Sequence, residues 1–277
     1  MPKDLRTQLT TTHARDAWDH LVASPGDVLV ALDYDGTLAP IVPRPDDAVA
    51  QPGMVDALTG LARRGVHVAV ITGRPVDAAL SLGGLDAVPG LVLLGHYGLQ
   101  RWQDGELTSP EAGPAVAVAR QRLRSYAAAA DTGVEVEDKH HSVALHTRNA
   151  ADPTAELERA RPMAEALARE FGLELVPGRF VLELRPEGTD KGGALRAVVD
   201  EMQARTVLFG GDDLGDLPAV SAVQELRQAG IRGMVLCSDS PETPASLREA
   251  ADLVVDGPSG VLAVLEALEQ EIADQSP

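Results

Sequence analysis

Apolar residues gather in short uninterrupted runs, each closed by a turn: VLVALD (28–33), VHVAVITG (66–73), LVLLGHYG (91–98), TVLFGGDD (206–213), GMVLCSD (233–239) and ADLVVDG (251–257). Polar residues do not alternate within them, so they predict strands buried on both faces. Between most of them lie helical patterns, among them QPGMVDALTGLARRG (51–65) and TDKGGALRAVVDEMQ (189–203), with apolar residues at three- and four-residue spacings. Strand, helix, strand in succession predicts an α/β fold, a parallel sheet with helices on both faces.

The middle of the chain follows another rhythm. Two helical stretches, 113–130 and 152–172, each precede a pair of shorter runs, VEVEDKHHSVALHTR (134–148) and LELVPGRFVLELRP (173–186). Here the polar residues do alternate: Val134 and Val136 oppose Glu135 and Glu137, and Phe180, Leu182 and Leu184 oppose Glu183 and Arg185. Such a pattern predicts an antiparallel sheet with helices on one face and a polar face left open. The expected organisation is a core of residues 1–111 and 187–277 carrying an inserted α+β domain, 112–186, whose open face looks at the core. The tail beyond 270 is expected to fray.

Composition narrows the partners. A formal net charge of −18 argues against duplex nucleic acid and anionic membrane surfaces, both of which need basic patches. The first twenty residues are polar and no later stretch holds eighteen uninterrupted apolar residues, which predicts a cytoplasmic protein without a membrane segment. Cys237, the single cysteine, lies in an apolar run and reads as a small core residue. Oligomeric state is left open; a monomer is compatible with the sequence.

Candidate chemistry stands at the strand ends, where ligands bind in open parallel sheets. Asp33 and Asp35 follow the first run, Thr72 the second, and GDDLGD (211–216) a later one, while Lys191 opens a helix. Taken singly, each is also what an ordinary turn or a solvated helix start looks like. Four of them, in order and each at the right kind of sheet end, point to one crevice. Asp33, Asp35, Asp212, Asp213 and Asp216 converging there would repel one another without a cation. Their hard oxygens suit Mg²⁺ rather than zinc, and the glycine of DYDGT comes too early for a calcium loop.

DYDGT, ITGR, the lysine of GTDKGG and GDDLGD resemble, in order, the four motifs of the haloacid dehalogenase superfamily. VEDKHHSVALHTR, FVLELRPEGTDKGGAL and LLGHYGLQRW resemble the trehalose-6-phosphate phosphatases within it. The resemblance implies a Rossmannoid core with an inserted cap of the C2 type, a sugar phosphate as the small-molecule partner, and hydrolysis of trehalose 6-phosphate through an aspartyl phosphate. By the same resemblance, Asp33 is the nucleophile and Asp35 the general acid and base, which must start protonated. Mg²⁺ is held by Asp33, the backbone carbonyl of Asp35 and Asp212. Thr72, Gly73 and Lys191 grip the phosphoryl oxygens, Asp213 and Asp216 orient Lys191 and metal-bound waters, and Glu137, Lys139 and Glu183 bind the sugar. The last motif departs from the family, which commonly has threonine and then Asp-Glu where this chain has Gly215, Asp216 and Leu217. His140 and His141 are expected in a hairpin turn without a role; His96 either lines the crevice or is a hydrogen-bonded structural histidine. Two other readings remain open: a phosphatase or phosphomutase for another sugar phosphate, and a catalytically silent sugar-phosphate sensor.

Overall fold

In the computed structural model, which describes residues 5–275 except 112, 131 and 179, the chain divides into two units. One runs to Thr108 and resumes at Asp190; the other is Ser109–Thr189. In chain order the strands are β1 (Val28–Leu32), β2 (His67–Ile71), β3 (Val92–Gly95), β4 (Gln100–Gln103) and β5 (Glu106–Thr108) in the first unit. The second unit contributes β6 (Glu135–Asp138), β7 (Val143–His146), β8 (Leu173–Gly178) and β9 (Val181–Pro186). The first then resumes with β10 (Thr206–Gly211), β11 (Arg232–Asp239) and β12 (Leu253–Asp256).

The first unit is built on one sheet in the order β12-β11-β10-β1-β2-β3-β4-β5. From β12 to β3 all pairings are parallel, and β4 and β5 extend the sheet antiparallel. Both faces are covered, as the unbroken apolar runs require. Val28, Val30 and Leu32 of β1 enter one core with the helices Thr12–Ala23, Met54–Arg63, Val76–Gly83 and Gly257–Gln275. Leu29 and Ala31 enter the other with Lys191–Met202, Leu217–Gln228 and Ala245–Ala250. Each fully buried Val or Leu on such a strand contributes about 1.5–3 kcal/mol. Strand order reverses between β1 and β10, which is where an open α/β sheet leaves a crevice at its carboxyl edge.

The second unit is a four-stranded antiparallel sheet, β6-β7-β9-β8. Val143, Leu145, Leu182 and Leu184 pack in its own core with Val116 and Leu123 of the helix Pro114–Ala130 and with Ala164 and Leu167 of the helix Pro153–Phe171. The latter helix starts where the Asp152 carboxylate accepts the Ala155 N–H at 3.0 Å and stops at Gly172, whose left-handed backbone closes the last turn.

Some expectations are corrected. Phe180 does not alternate with Glu183: it sits before β9 with φ of 61°, in the hairpin turn. Residues beyond 270 do not fray at once, because the last helix runs to Gln275 and buries Ile272 against the sheet. Among the described residues, no helix is long and apolar enough to cross a membrane.

Candidate active site

The crevice is assembled from three loops. Asp33 leaves β1 with its N–H donated to Gly210 O of β10 at 2.9 Å, so the two strand ends are tied at the switch point. A tight turn follows in which Leu38 and Ala39 both donate to Tyr34 O. Within it Gly36 has φ of 72°, and a Cβ there would lie 2.1 Å from Asp212 Oδ2, so only glycine lets the two loops meet. Ser238 of β11 donates to Gly36 O at 2.5 Å and ties the turn down from a third strand.

Lys191, the first residue of its helix, is buried, with Nζ 2.6 Å from Asp33 Oδ1 and 2.7 Å from Asp216 Oδ1. Burial pulls its pKa down, but Asp216 and Asp33 hold it well above the ordinary lysine value. Asp216 has no oxygen to spare: its Oδ2 accepts the N–H groups of Asp212 at 2.9 Å and Asp213 at 3.1 Å. Asp213 does not touch Lys191; its Oδ1 accepts the Gly215 N–H at 2.8 Å and closes a capping box with Asp216. The Asp216-Leu217 departure from the family pattern therefore keeps the buttress for the lysine.

Asp33, Asp212 and Asp216 each bring one carboxylate oxygen within 4.8 Å of the others. Burial pushes the Asp33 carboxyl up to about 8, against the opposing pull of Lys191, and raises Asp212 to about 9, with Asp33 adding repulsion. With Asp216 already saturated, Asp33 and Asp212 are the carboxylates with an oxygen left. A buried pair of hard anions short of positive charge fits a small divalent cation such as Mg²⁺, which takes few protein carboxylates.

Thr72 is buried just past β2, and its Oγ1 accepts the Arg74 N–H at 3.1 Å. Gly73 follows beneath Tyr97: a Cβ at Gly73 would lie 2.7 Å from the phenol oxygen. His96 and Tyr97 both have left-handed backbones, φ of 47° and 59°, and their N–H groups donate to Arg74 O at 3.0 Å and Thr72 O at 2.9 Å. Two such non-glycine residues cost of order 1–3 kcal/mol each. His96 is thus buried against the Thr72–Arg74 segment, a placement between the two expected roles.

Asp35 differs from its expected surroundings. It is expected to start protonated, yet it lies against a cation: Arg74 Nε donates to Oδ2 and Nη2 to Oδ1, both at 2.7 Å. Sequence reasoning passed over Arg74 as the tail of ITGR; an arginine two residues past the threonine, on a neighbouring strand end, was the available signal.

In the second unit Lys139 Nζ lies 3.0 Å from Glu183 Oε2 and 3.8 Å from Glu137 Oε2, so the three expected sugar-binding residues cluster with each other. Two residues not singled out from sequence join them. Ser142 Oγ donates to Glu183 Oε1 at 2.6 Å, and His146 Nε2 lies 2.9 Å from Glu137 Oε2. His140 and His141 stand in the turn between β6 and β7, their rings edge to face with centroids 4.5 Å apart. His141 Nε2 is 3.0 Å from Ser109 Oγ.

The trehalose-phosphatase family model matches residues 31–252. A curated relative, the trehalose-phosphate phosphatase of Mycolicibacterium paratuberculosis, is 34% identical over 88% of this chain and 62% of its own length. The chain thus spans under two thirds of that relative. The structure of the C-terminal domain of C. albicans trehalose-6-phosphate phosphatase superposes with a TM-score of 0.72 at 19% identity, covering 96% of this chain and 97% of that one. A haloacid dehalogenase-like hydrolase from Bacteroides thetaiotaomicron gives 0.63 at 17% identity, with 87% of this chain and 98% of that one covered. At these identities the structural likenesses speak to the fold.

Proposed function

Because the chain belongs to the trehalose-phosphatase family, we propose that it is an Mg²⁺-dependent phosphatase that hydrolyses trehalose 6-phosphate to trehalose and phosphate. The observation that carries this reading is the buried Lys191 ammonium, bridging Asp33 and Asp216 beside Asp212 at the switch point.

In this reading a carboxylate oxygen of Asp33 attacks phosphorus in line with the sugar oxygen. A bond from Asp33 to phosphorus forms as the bond to the sugar breaks, giving an aspartyl phosphate. Asp35 delivers a proton to the departing sugar oxygen and then takes one from the water that attacks the aspartyl phosphate, which frees Asp33. The Thr72 hydroxyl, the Gly73 N–H and the Lys191 ammonium hold the phosphoryl oxygens while charge shifts among them. Asp33, the Asp35 carbonyl and Asp212 hold Mg²⁺, which offsets the repulsion between a carboxylate and a phosphate dianion. Asp216 keeps the lysine aimed, and Asp213 shapes the loop that carries Asp212. Glu137, Lys139 and Glu183 supply carboxylates and an ammonium suited to vicinal hydroxyls, and Ser142 fixes the orientation of Glu183.

Phosphate release across a panel of sugar phosphates with Mg²⁺ tests the proposal, with trehalose 6-phosphate expected to lead. Preference for another sugar phosphate by about 100-fold in kcat/KM rejects the substrate. Transfer of the phosphoryl group to a second hydroxyl instead of water would make the protein a mutase, and binding without turnover a sensor. Asp33→Asn is expected to lower kcat by roughly 10⁴-fold or more with an unchanged circular dichroism spectrum.

A further inference from the structure

We propose that Arg74 is the positioning residue for Asp35, fixing the orientation of its carboxylate and thereby deciding how well the enzyme expels a poor leaving group. The inference rests on the phosphatase reading above, and its physical basis is the shape of the pair. A guanidinium is a planar fork whose parallel N–H groups match both oxygens of a carboxylate. Arg74 makes that match with both contacts at 2.7 Å, so the torsion of the Asp35 side chain is set as well as its location.

The fork is itself held. Its guanidinium carbon lies 5.4 Å from the centroid of the Tyr34 ring, and that ring is fixed by its hydroxyl donating to Ala48 O at 2.9 Å. The backbone of Arg74 is clamped at both ends, its N–H by Thr72 Oγ1 and its carbonyl by the strained His96. Exposure is unequal across the pair: the Arg74 side chain is 13% exposed and that of Asp35 38%. Arg74 thus backs the carboxylate from the protein side and leaves the other side open to a leaving group. In the resting arrangement the fork occupies both oxygens, so one must be surrendered and take up a proton from solvent before it can pass one to the leaving group, while the other contact keeps the carboxylate aligned. The strain stored in the His96–Tyr97 turn has a use here, because it steadies the residue that steadies the proton donor.

A merely structural arginine and a positioning one differ in what they do to different leaving groups. A sugar alkoxide cannot depart unprotonated, whereas p-nitrophenolate can. For Arg74→Ala the expected result is a fall in kcat of about 100-fold on trehalose 6-phosphate, or on the phosphomonoester the panel selects, with less than about tenfold on p-nitrophenyl phosphate and KM changed by less than about threefold. Arg74→Lys, which keeps the charge without the fork, should show the same bias toward the good leaving group. In an Asp35→Asn background, Arg74→Ala should cost less than about threefold more, because the residue it acts through is gone. Equal losses on the two substrates, or full additivity with Asp35→Asn, would overturn the proposal. A crystal structure of Arg74→Ala, or of Arg74→Lys if the alanine variant does not fold, judges it independently: Asp35 should leave its present rotamer, and an unmoved carboxylate refutes the role. A chain inert toward every phosphomonoester would end the phosphatase reading, and the crystallographic comparison would still decide this one.

Discussion

Lys191 and Asp216 illustrate how much of this site is one charge balancing another. Taking Lys191 away leaves the buried Asp216 carboxylate without its counter-charge, a change that typically costs about 3–5 kcal/mol. Gly36 governs the approach of the other acidic loop. With φ of 72° and a virtual Cβ 2.1 Å from Asp212 Oδ2, it has no room for alanine. Gly36→Ala is expected to displace the Asp212 carboxylate and weaken Mg²⁺ binding by about 10- to 100-fold, read by calorimetric titration of the metal. Unchanged affinity would mean that Asp212 is not a ligand. At this scale the sequence was informative wherever an acidic or hydroxyl residue stood directly beyond an apolar run, as with Asp33, Thr72 and Asp212. It was silent where two side chains from separate loops choose each other. The Arg74 fork on Asp35 and the serine on Glu183 depend on angles that no linear pattern encodes.

Elements were legible in proportion to how completely they are buried. β1, β3 and β10 are buried throughout and stood out as runs. β4, Gln-Arg-Trp-Gln, is half-buried along its length and carries no such run, so the antiparallel extension of the sheet went unanticipated. The helix Thr12–Ala23 was masked by its polar residues, although Ala14, Ala17, Trp18, Leu21 and Val22 form a fully apolar stripe. Within β11, Cys237 is buried between β10 and β12, and burial pushes its thiol up to about 11. The reactive thiolate is then scarce at pH 8 and its sulfur out of reach. Labelling by iodoacetamide at pH 8 should proceed only as the sheet opens, at a rate that rises with denaturant; rapid stoichiometric labelling of the native protein would contradict the strand's placement.

Across the whole molecule, two units with separate cores give two places where stability can be lost. Leu184 is fully buried in the second core, and Leu184→Ala should cost about 2–5 kcal/mol there. Both tryptophans, Trp18 and Trp102, belong to the first unit. The substitution should therefore lower the transition seen by far-ultraviolet circular dichroism in urea while leaving the tryptophan fluorescence transition in place. Coincident shifts in both probes would show that the units unfold as one. The change of rhythm in the sequence, from continuous to alternating apolar runs, announced the two sheets. The unit limits fall at the end of the short exposed strand β5, at Thr108, and just before a helix, at Asp190, where the apolar pattern has nothing to say.

The placement of β1 between β2 and β10 has a consequence for the growing polypeptide. On the ribosome β1 and β2 emerge early, yet the partner for the other edge of β1 is not translated until the entire second unit has been made. At roughly 5–20 residues per second, that apolar edge waits on the order of ten seconds or more without its neighbour. Nascent chains of this protein should accordingly lean on holding chaperones during that interval, and Asp33, borne at the end of β1, meets Lys191, Asp212 and Asp216 only when the last third of the message has been read.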